Sequence, residues 1–303
     1  MRRSLEELWL RSVRLYTYNT PINKGKYRLY LTALALCNFN HDALPAKSKD
    51  GRRFIADLSN GMQEHLFFFG EYESAISKIT ARLIKNGDTC IDVGANFGWY
   101  TTLMARLCGC DGRVHAFEPV PKTFRELETN VNLSDLRNNI TINQKALGDR
   151  RDTITLQIPA GEPSGHASIA VKSESKDDSF DCEIQTLDDY LAERSVGNVN
   201  FVKVDIEGAE MMFLKGASKL FSQTVPPVIQ MEMALKQSKH FDYLPNDLVK
   251  YIRSKGDYIF FAVDEKLEKL TQIDGFADDD IGANVFCIPK AVSVDSIREM
   301  IKN

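Results

Sequence analysis

From Thr89 onward the chain alternates short apolar runs with amphipathic stretches. Cys90 to Val93, Val114 to Phe117 and Ile140 to Ala146 read as strands, separated by helix patterns over Trp99 to Leu107 and Thr123 to Asn132. After an interruption the rhythm resumes with Phe201 to Val204, a helix over Ala209 to Phe221, Val228 to Met233, a helix over Asn246 to Lys255, Tyr258 to Val263 and a last strand, Val285 to Ile288. Strands spaced by helices of this length pair in parallel through right-handed crossovers. The pattern therefore predicts a doubly wound, Rossmann-like α/β sheet.

Two regions depart from that rhythm. Residues 150–185 alternate polar and apolar positions over Thr153 to Ile158, Ser168 to Val171 and Phe180 to Ile184, with Gly and Pro between them, which predicts an inserted β arm. Residues 1–80 predict two amphipathic helices, a hairpin over Leu44 to Asp57 turning at Asp50-Gly51, and a third helix approaching Lys85. The domain reading is thus an N-terminal helical and hairpin cap over 1–80, then one α/β domain over 81–303 carrying the arm. No internal repeat competes with it.

Composition narrows the function. The chain has 303 residues, 43% hydrophobic and 26% charged, with net charge −4; no broad positive field is present to hold a nucleic-acid backbone. Six cysteines without a C-x-x-C pair fit a reducing cytoplasm. Glu6, Glu7 and Arg11 interrupt the start where a cleaved signal needs an apolar run. The apolar stretch Leu29 to Phe39 is too short to span a bilayer, which leaves it core packing or a peripheral membrane contact.

The segment Asp92-Val93-Gly94-Ala95-Asn96-Phe97-Gly98 follows a strand and opens a helix, a place where glycines let a ligand approach the backbone. A dinucleotide fingerprint would put Gly at positions 96 and 99, and this chain has Asn96 and Trp99, which disfavours NAD and a nicotinamide oxidoreductase. S-adenosylmethionine carries no phosphate, and its amino and sulfonium groups are cationic, so the acid Asp92 suits it. Glu118-Pro119, at the end of the next strand, offers a carboxylate to ribose hydroxyls. Ala146-Leu147-Gly148-Asp149 would give an adenine face with Asp149 at the rim.

Lys203-Val204-Asp205-Ile206-Glu207-Gly208-Ala209-Glu210 crosses from a strand end into a helix, where ligands of open α/β sheets gather. Asp205 ends a buried strand and so needs partners; Glu207 and Glu210 also suit a positive helix N-terminus. For transfer to an alcohol, Asp205, Glu207 and Glu232 are the candidate general bases, and His166 in the arm is an alternative. The same oxygens could instead hold Mg²⁺, although the histidines show no metal-ligand spacing.

Taken together, Ile91 to Gly98, Phe117-Glu118-Pro119, Thr186-Leu187-Asp188-Asp189 and Val202 to Glu210 resemble the FkbM family of methyltransferases in order and spacing, as does Phe69-Gly70-Glu71-Tyr72-Glu73 ahead of them. The resemblance covers about residues 70–290. It implies a class I methyltransferase fold, a mostly parallel seven-stranded sheet with an antiparallel last strand, and O-methylation of a sugar, glycan or other small natural product. Asp92 and Glu118 then serve S-adenosylmethionine, with Gly94, Ala95, Asn96, Gly98, Trp99, Pro119, Ala146, Leu147 and Asp205 completing its site. A cofactor-binding protein of the same fold without turnover is the alternative.

Overall fold

The computed structural model describes residues 2–20, 25–36, 43–157 and 179–301. They fall into two compact units, residues 1–73 with 132–134, and residues 74–131 with 135–303.

In the first unit, α1 (Arg2–Asn19), α2 (Lys26–Leu36), the hairpin of β1 (Ala43–Lys47) and β2 (Arg53–Asp57), and α3 (Gly61–Phe69) follow in order. Asn60 starts α3 by accepting from the Met62 amide at 3.0 Å, and Gly70 ends it in the left-handed region at φ 70°. A Cβ at Gly70 would meet the Tyr18 ring at 2.4 Å, so only glycine fits. The third helix expected to approach Lys85 is accordingly two helices; the second of them, α4 (Ser74–Leu83), belongs to the other unit.

The second unit continues with β3 (Thr89–Val93), α5 (Trp99–Cys108), β4 (Arg113–Phe117), α6 (Pro121–Asn132), β5 (Ile140–Asn143), β6 (Ala146–Leu147), β7 (Asp152–Gln157), β8 (Ser179–Gln185), α7 (Leu187–Glu193) and β9 (Phe201–Val204). Then come α8 (Glu210–Lys215), α9 (Ser218–Phe221), β10 (Val228–Ala234), α10 (Leu235–Ser238), α11 (Pro245–Lys255), β11 (Tyr258–Asp264), β12 (Lys269–Ile273) and β13 (Gly282–Pro289). The large sheet runs β12-β11-β13-β10-β9-β3-β4-β5. From β3 the chain winds outward through β4 and β5, then returns to β9 on the other side of β3 and winds the opposite way. This is a doubly wound α/β sheet whose order reverses between β3 and β9, the switch point where such folds open a crevice.

The last strand, β13, is antiparallel to both β10 and β11, as expected. The sheet has eight strands rather than seven. The extra one, β12, pairs with the edge of β11, and its sequence Lys-Leu-Thr-Gln-Ile has too little apolar content to read as a strand. The run Ile140 to Ala146 is split as well: β5 stays in the large sheet, while Ala146–Leu147 pairs with β8 in a small sheet ordered β6-β8-β7. The arm therefore contains the antiparallel pair β7 and β8, and its expected middle strand, Ser168 to Val171, lies outside the described residues, as does His166.

The expected helix over Ala209 to Phe221 breaks at Gly216, where a Cβ would stand 1.9 Å from the Gly148 carbonyl oxygen. Asp188 restarts it: one carboxylate oxygen accepts from the Ser218 amide (3.0 Å) and hydroxyl (2.6 Å), the other from the Lys219 amide (2.9 Å). Thr186 meanwhile caps α7 through the Asp189 amide. The Thr-Leu-Asp-Asp motif is thus a double helix cap. Asp188→Ala should cost about 1–2 kcal/mol, read as a lower urea midpoint at unchanged slope; an unchanged midpoint would refute the capping role.

One face of the sheet forms the main core, in which Ile91, Val93, Val202, Val204, Ile229 and Met231 pack with Phe213, Leu214, Leu248 and Ile252. Among the described residues no helix is long and apolar enough to cross a membrane.

Candidate functional site

The other face of the same strands carries a polar row. Register places Asp92 beside Lys203 across β3 and β9, and Lys203 beside Gln230 across β9 and β10. All three are buried. Gln230 is satisfied by the Thr80 hydroxyl of α4 at 2.7 Å and Asp92 by the Thr101 hydroxyl of α5 at 2.6 Å. The other Asp92 oxygen has no hydrogen-bond partner and faces the Lys203 ammonium at 4.0 Å. Burial raises the Asp92 pKa, opposed by Lys203.

Lys203 is the hub. Its ammonium donates to the Gly94 carbonyl (3.1 Å), pairs with Asp205 (3.2 Å) and lies over the Tyr100 ring, 5.3 Å from the centroid. One buried cation thereby ties the loop after β3 to the end of β9. Gly94 is required where those segments meet: its φ is +77°, and a Cβ would stand 1.9 Å from the Asp205 carbonyl oxygen.

The amides of Gly94 and Ala95 donate to the Phe117 carbonyl at 3.0 and 2.9 Å, which draws the end of β4 alongside. Asn96, also at positive φ, bonds the Phe97 amide through its own side chain. Glu118 then locks the corner, with one oxygen accepting from the Asn96 amide (2.9 Å) and the other from the Val120 amide (3.0 Å). Burial pushes the Glu118 pKa up to about 7, although both amides favour its charged form.

Beyond these strand ends opens a cleft at the place where ligands of open α/β sheets bind. Its walls are largely apolar, from Phe117, Leu147, Met212 and the arm residues Ile154, Leu156 and Ile184; its acids are Glu118, Asp205 and Glu207. Lys145, at the rim, is paired with Glu183 at 2.7 Å.

Glu207 and Gly208 both have positive φ, 55° and 104°. Glu210 holds that turn by accepting from the Ile206 and Gly208 amides, each at 3.2 Å, and from the Tyr243 hydroxyl at 2.8 Å. Its role is to brace the loop, and burial pushes its pKa up to about 6. Glu207 is a non-glycine residue kept in a costly conformation at the cleft wall, a pattern associated with functional positions.

Of the residues singled out from sequence, Gly94, Glu118, Pro119, Ala146, Leu147, Asp205 and Glu207 line this cleft. Asp92, Ala95, Asn96, Gly98 and Trp99 do not. Asp92 lies fully buried with Lys203 rather than on the wall, so it acts on the loop. Trp99 is also buried and donates its indole N–H to the Ser77 hydroxyl at 2.9 Å; its bulk therefore does not obstruct this cleft. Glu232 lines a separate cleft with Asp264, Lys266 and Asn284. Burial, and then the charges of Asp205, Glu207 and Glu210, push the Glu232 pKa well upward.

His115 is bonded to the Tyr190 hydroxyl at 2.8 Å, and burial takes its pKa down to about 4. Among the described residues no group of three or more His, Cys, Asp or Glu is placed to hold a metal ion. Sequence reasoning missed Lys203 and the apolar arm residues. The available signal was a lysine in an otherwise apolar, buried strand, which demands a buried acid.

The profile of the methyltransferase FkbM domain matches residues 92–259. Methyltransferase 1 of Beauveria bassiana is 26% identical over 185 residues, covering 55% of this chain and 66% of that protein. Hexuronic acid methyltransferase AglP of Haloferax volcanii is 30% identical over 145 residues, covering 48% of this chain and 56% of that protein. The 31-O-demethyl-FK506 methyltransferase FkbM of Streptomyces tacrolimicus is 26% identical over 162 residues, covering 44% and 60%. The chain thus spans about 56–66% of the length of these three relatives. The profile match takes in both the loop after β3 and the acidic turn after β9, and the chain belongs to the FkbM methyltransferase family.

Proposed function

We propose that this chain transfers the methyl group of S-adenosylmethionine to a hydroxyl oxygen of a sugar, glycan or other small natural product. The carrying observation is the cleft at the β3/β9 switch point, apolar on one side and edged by Glu118, Asp205 and Glu207, with its lysine, Lys145, already paired to Glu183. That lining fits the donor part by part. Leu147 and Ile184 offer apolar surface to the adenine, Glu118 accepts from ribose hydroxyls, and Asp205 and Glu207 favour the cationic end.

Bound there, S-adenosylmethionine supplies a methyl group activated by its sulfonium. The protein must then align an acceptor oxygen and remove its proton. Alignment contributes at most ~7–11 kcal/mol of barrier reduction, and a positioned base ~10²–10⁴-fold. Glu232 lines a different cleft, whereas Asp205 and Glu207 line this one and are the nearer candidate bases. Two of the relatives carry names that specify hexuronic acid and a 31-O position, which favours an oxygen acceptor here. Buried free thiols at Cys90, Cys108, Cys182 and Cys287 suit a reducing cytoplasm.

Incubation with methyl-labelled donor and a panel of hydroxylated acceptors should place label on an ether oxygen. Donor binding with no transfer to any acceptor, extracts of the source cell included, would favour a binding protein of this fold.

A further inference from the structure

In the first unit, α1 and α2 both lay their inner faces toward α3. Arg14 and Thr17 of α1 donate to the carbonyls of Phe67 and Phe68, while the Tyr30 ring of α2 packs edge-on to Phe68 and Phe69 at 5.5 and 5.3 Å. Both helices also expose apolar side chains to an unusual degree. Leu8, Leu15, Tyr27 and Leu36 are each more than 60% exposed, Leu31 is 45% exposed and Trp9 38%. They are six of the nine exposed large hydrophobic side chains among the described residues, whereas soluble surfaces scatter such residues singly.

Charge separates this region from the rest. The first 40 residues hold seven Lys and Arg against two Glu, in a chain whose net charge is −4. Beside Tyr27 lies a cleft lined also by Thr17, Lys26, Lys49, His65, Phe69 and Glu71. Lys49 is paired with Glu71 at 2.6 Å.

We infer that these exposed side chains dock the chain on an anionic phospholipid surface, with Leu8, Leu15 and Leu31 entering the acyl boundary and the excess of basic residues drawing the two helices to the headgroups. Exposed apolar and aromatic side chains on a basic helical pair are the chemistry of interfacial binding, in which burial and attraction to anionic lipid act together. A soluble acidic partner would satisfy the charge without needing the apolar stripe.

Sedimentation of the full chain with vesicles tests this, using phosphatidylcholine alone and phosphatidylcholine with one-third phosphatidylglycerol. Binding is expected to the anionic vesicles only, and to weaken in high salt. Leu8→Ser with Leu31→Ser should weaken it roughly tenfold or more, and Arg28→Gln roughly fivefold. Because these side chains are exposed, the variants should still unfold cooperatively. Absence of vesicle binding by folded protein, or equal binding by the apolar variants, overturns the inference.

Discussion

Replacing Lys203 with Met should destabilise the protein by about 3–5 kcal/mol, the usual cost of removing one partner from a buried ion pair. The reason is geometric. Lys203 is the cation facing an Asp92 oxygen that has no hydrogen-bond partner, and it also holds the Gly94 carbonyl and Asp205. Asp92 can escape part of the penalty by taking a proton, since burial already raises its pKa. The double variant Lys203→Met with Asp92→Asn should therefore recover stability relative to Lys203→Met alone. Urea unfolding of the three proteins decides it. Equal stability of wild type and Lys203→Met would mean that the pair does not organise the switch point.

The second large effect is expected at Glu118. Glu118→Ala removes the acceptor for two amides and, in the proposed donor site, for the ribose hydroxyls, and hydrogen bonds to a charged group contribute ~1.5–3 kcal/mol each. Affinity for S-adenosylhomocysteine should fall at least tenfold to a hundredfold. Glu118→Gln keeps the shape and loses the charge, so it should fall between. The pH dependence carries a definite sign. Hydroxyl donors prefer the carboxylate, so wild-type affinity should rise as pH climbs through about 7, while Glu118→Gln shows no such step.

Stability of the ligand-free protein should move the other way. A carboxyl whose folded pKa is raised from 4.5 to about 7 contributes stability that is complete below about pH 4.5 and lost as pH rises through 7. Donor binding should offset that loss. A wild-type affinity independent of pH between 6 and 8 would remove Glu118 from the ribose role.

Features set by neighbouring residues were legible in the sequence. The strand, glycine loop and helix from Asp92 to Trp99 are one local unit, and the cleft position of Glu118, Asp205 and Glu207 follows from their place at strand ends. Features set by register or by contacts between distant segments were not. Asp92 has the residue type of a ligand contact, but β3–β9 pairing puts it beside Lys203 and away from the cleft wall. The break at Gly216 depends on the distant Gly148 carbonyl, and the restart at Ser218 on Asp188, thirty residues earlier. Strand β12 is half-exposed and polar, a short edge whose identity comes from its pairing with β11. Glu232 looked equivalent to Asp205 and Glu207 because all three lie near strand ends; their different clefts and the rise in the Glu232 pKa separate them.

The central claim is that the cleft at the β3/β9 switch point holds the methyl donor. Calorimetric titration with S-adenosylhomocysteine, run on wild type and Glu118→Ala, tests it most directly. Saturable binding at one site per chain, at least tenfold weaker in the variant, is the expected result. Protein that unfolds cooperatively yet releases no heat on titration, or binds equally well without Glu118, would contradict it.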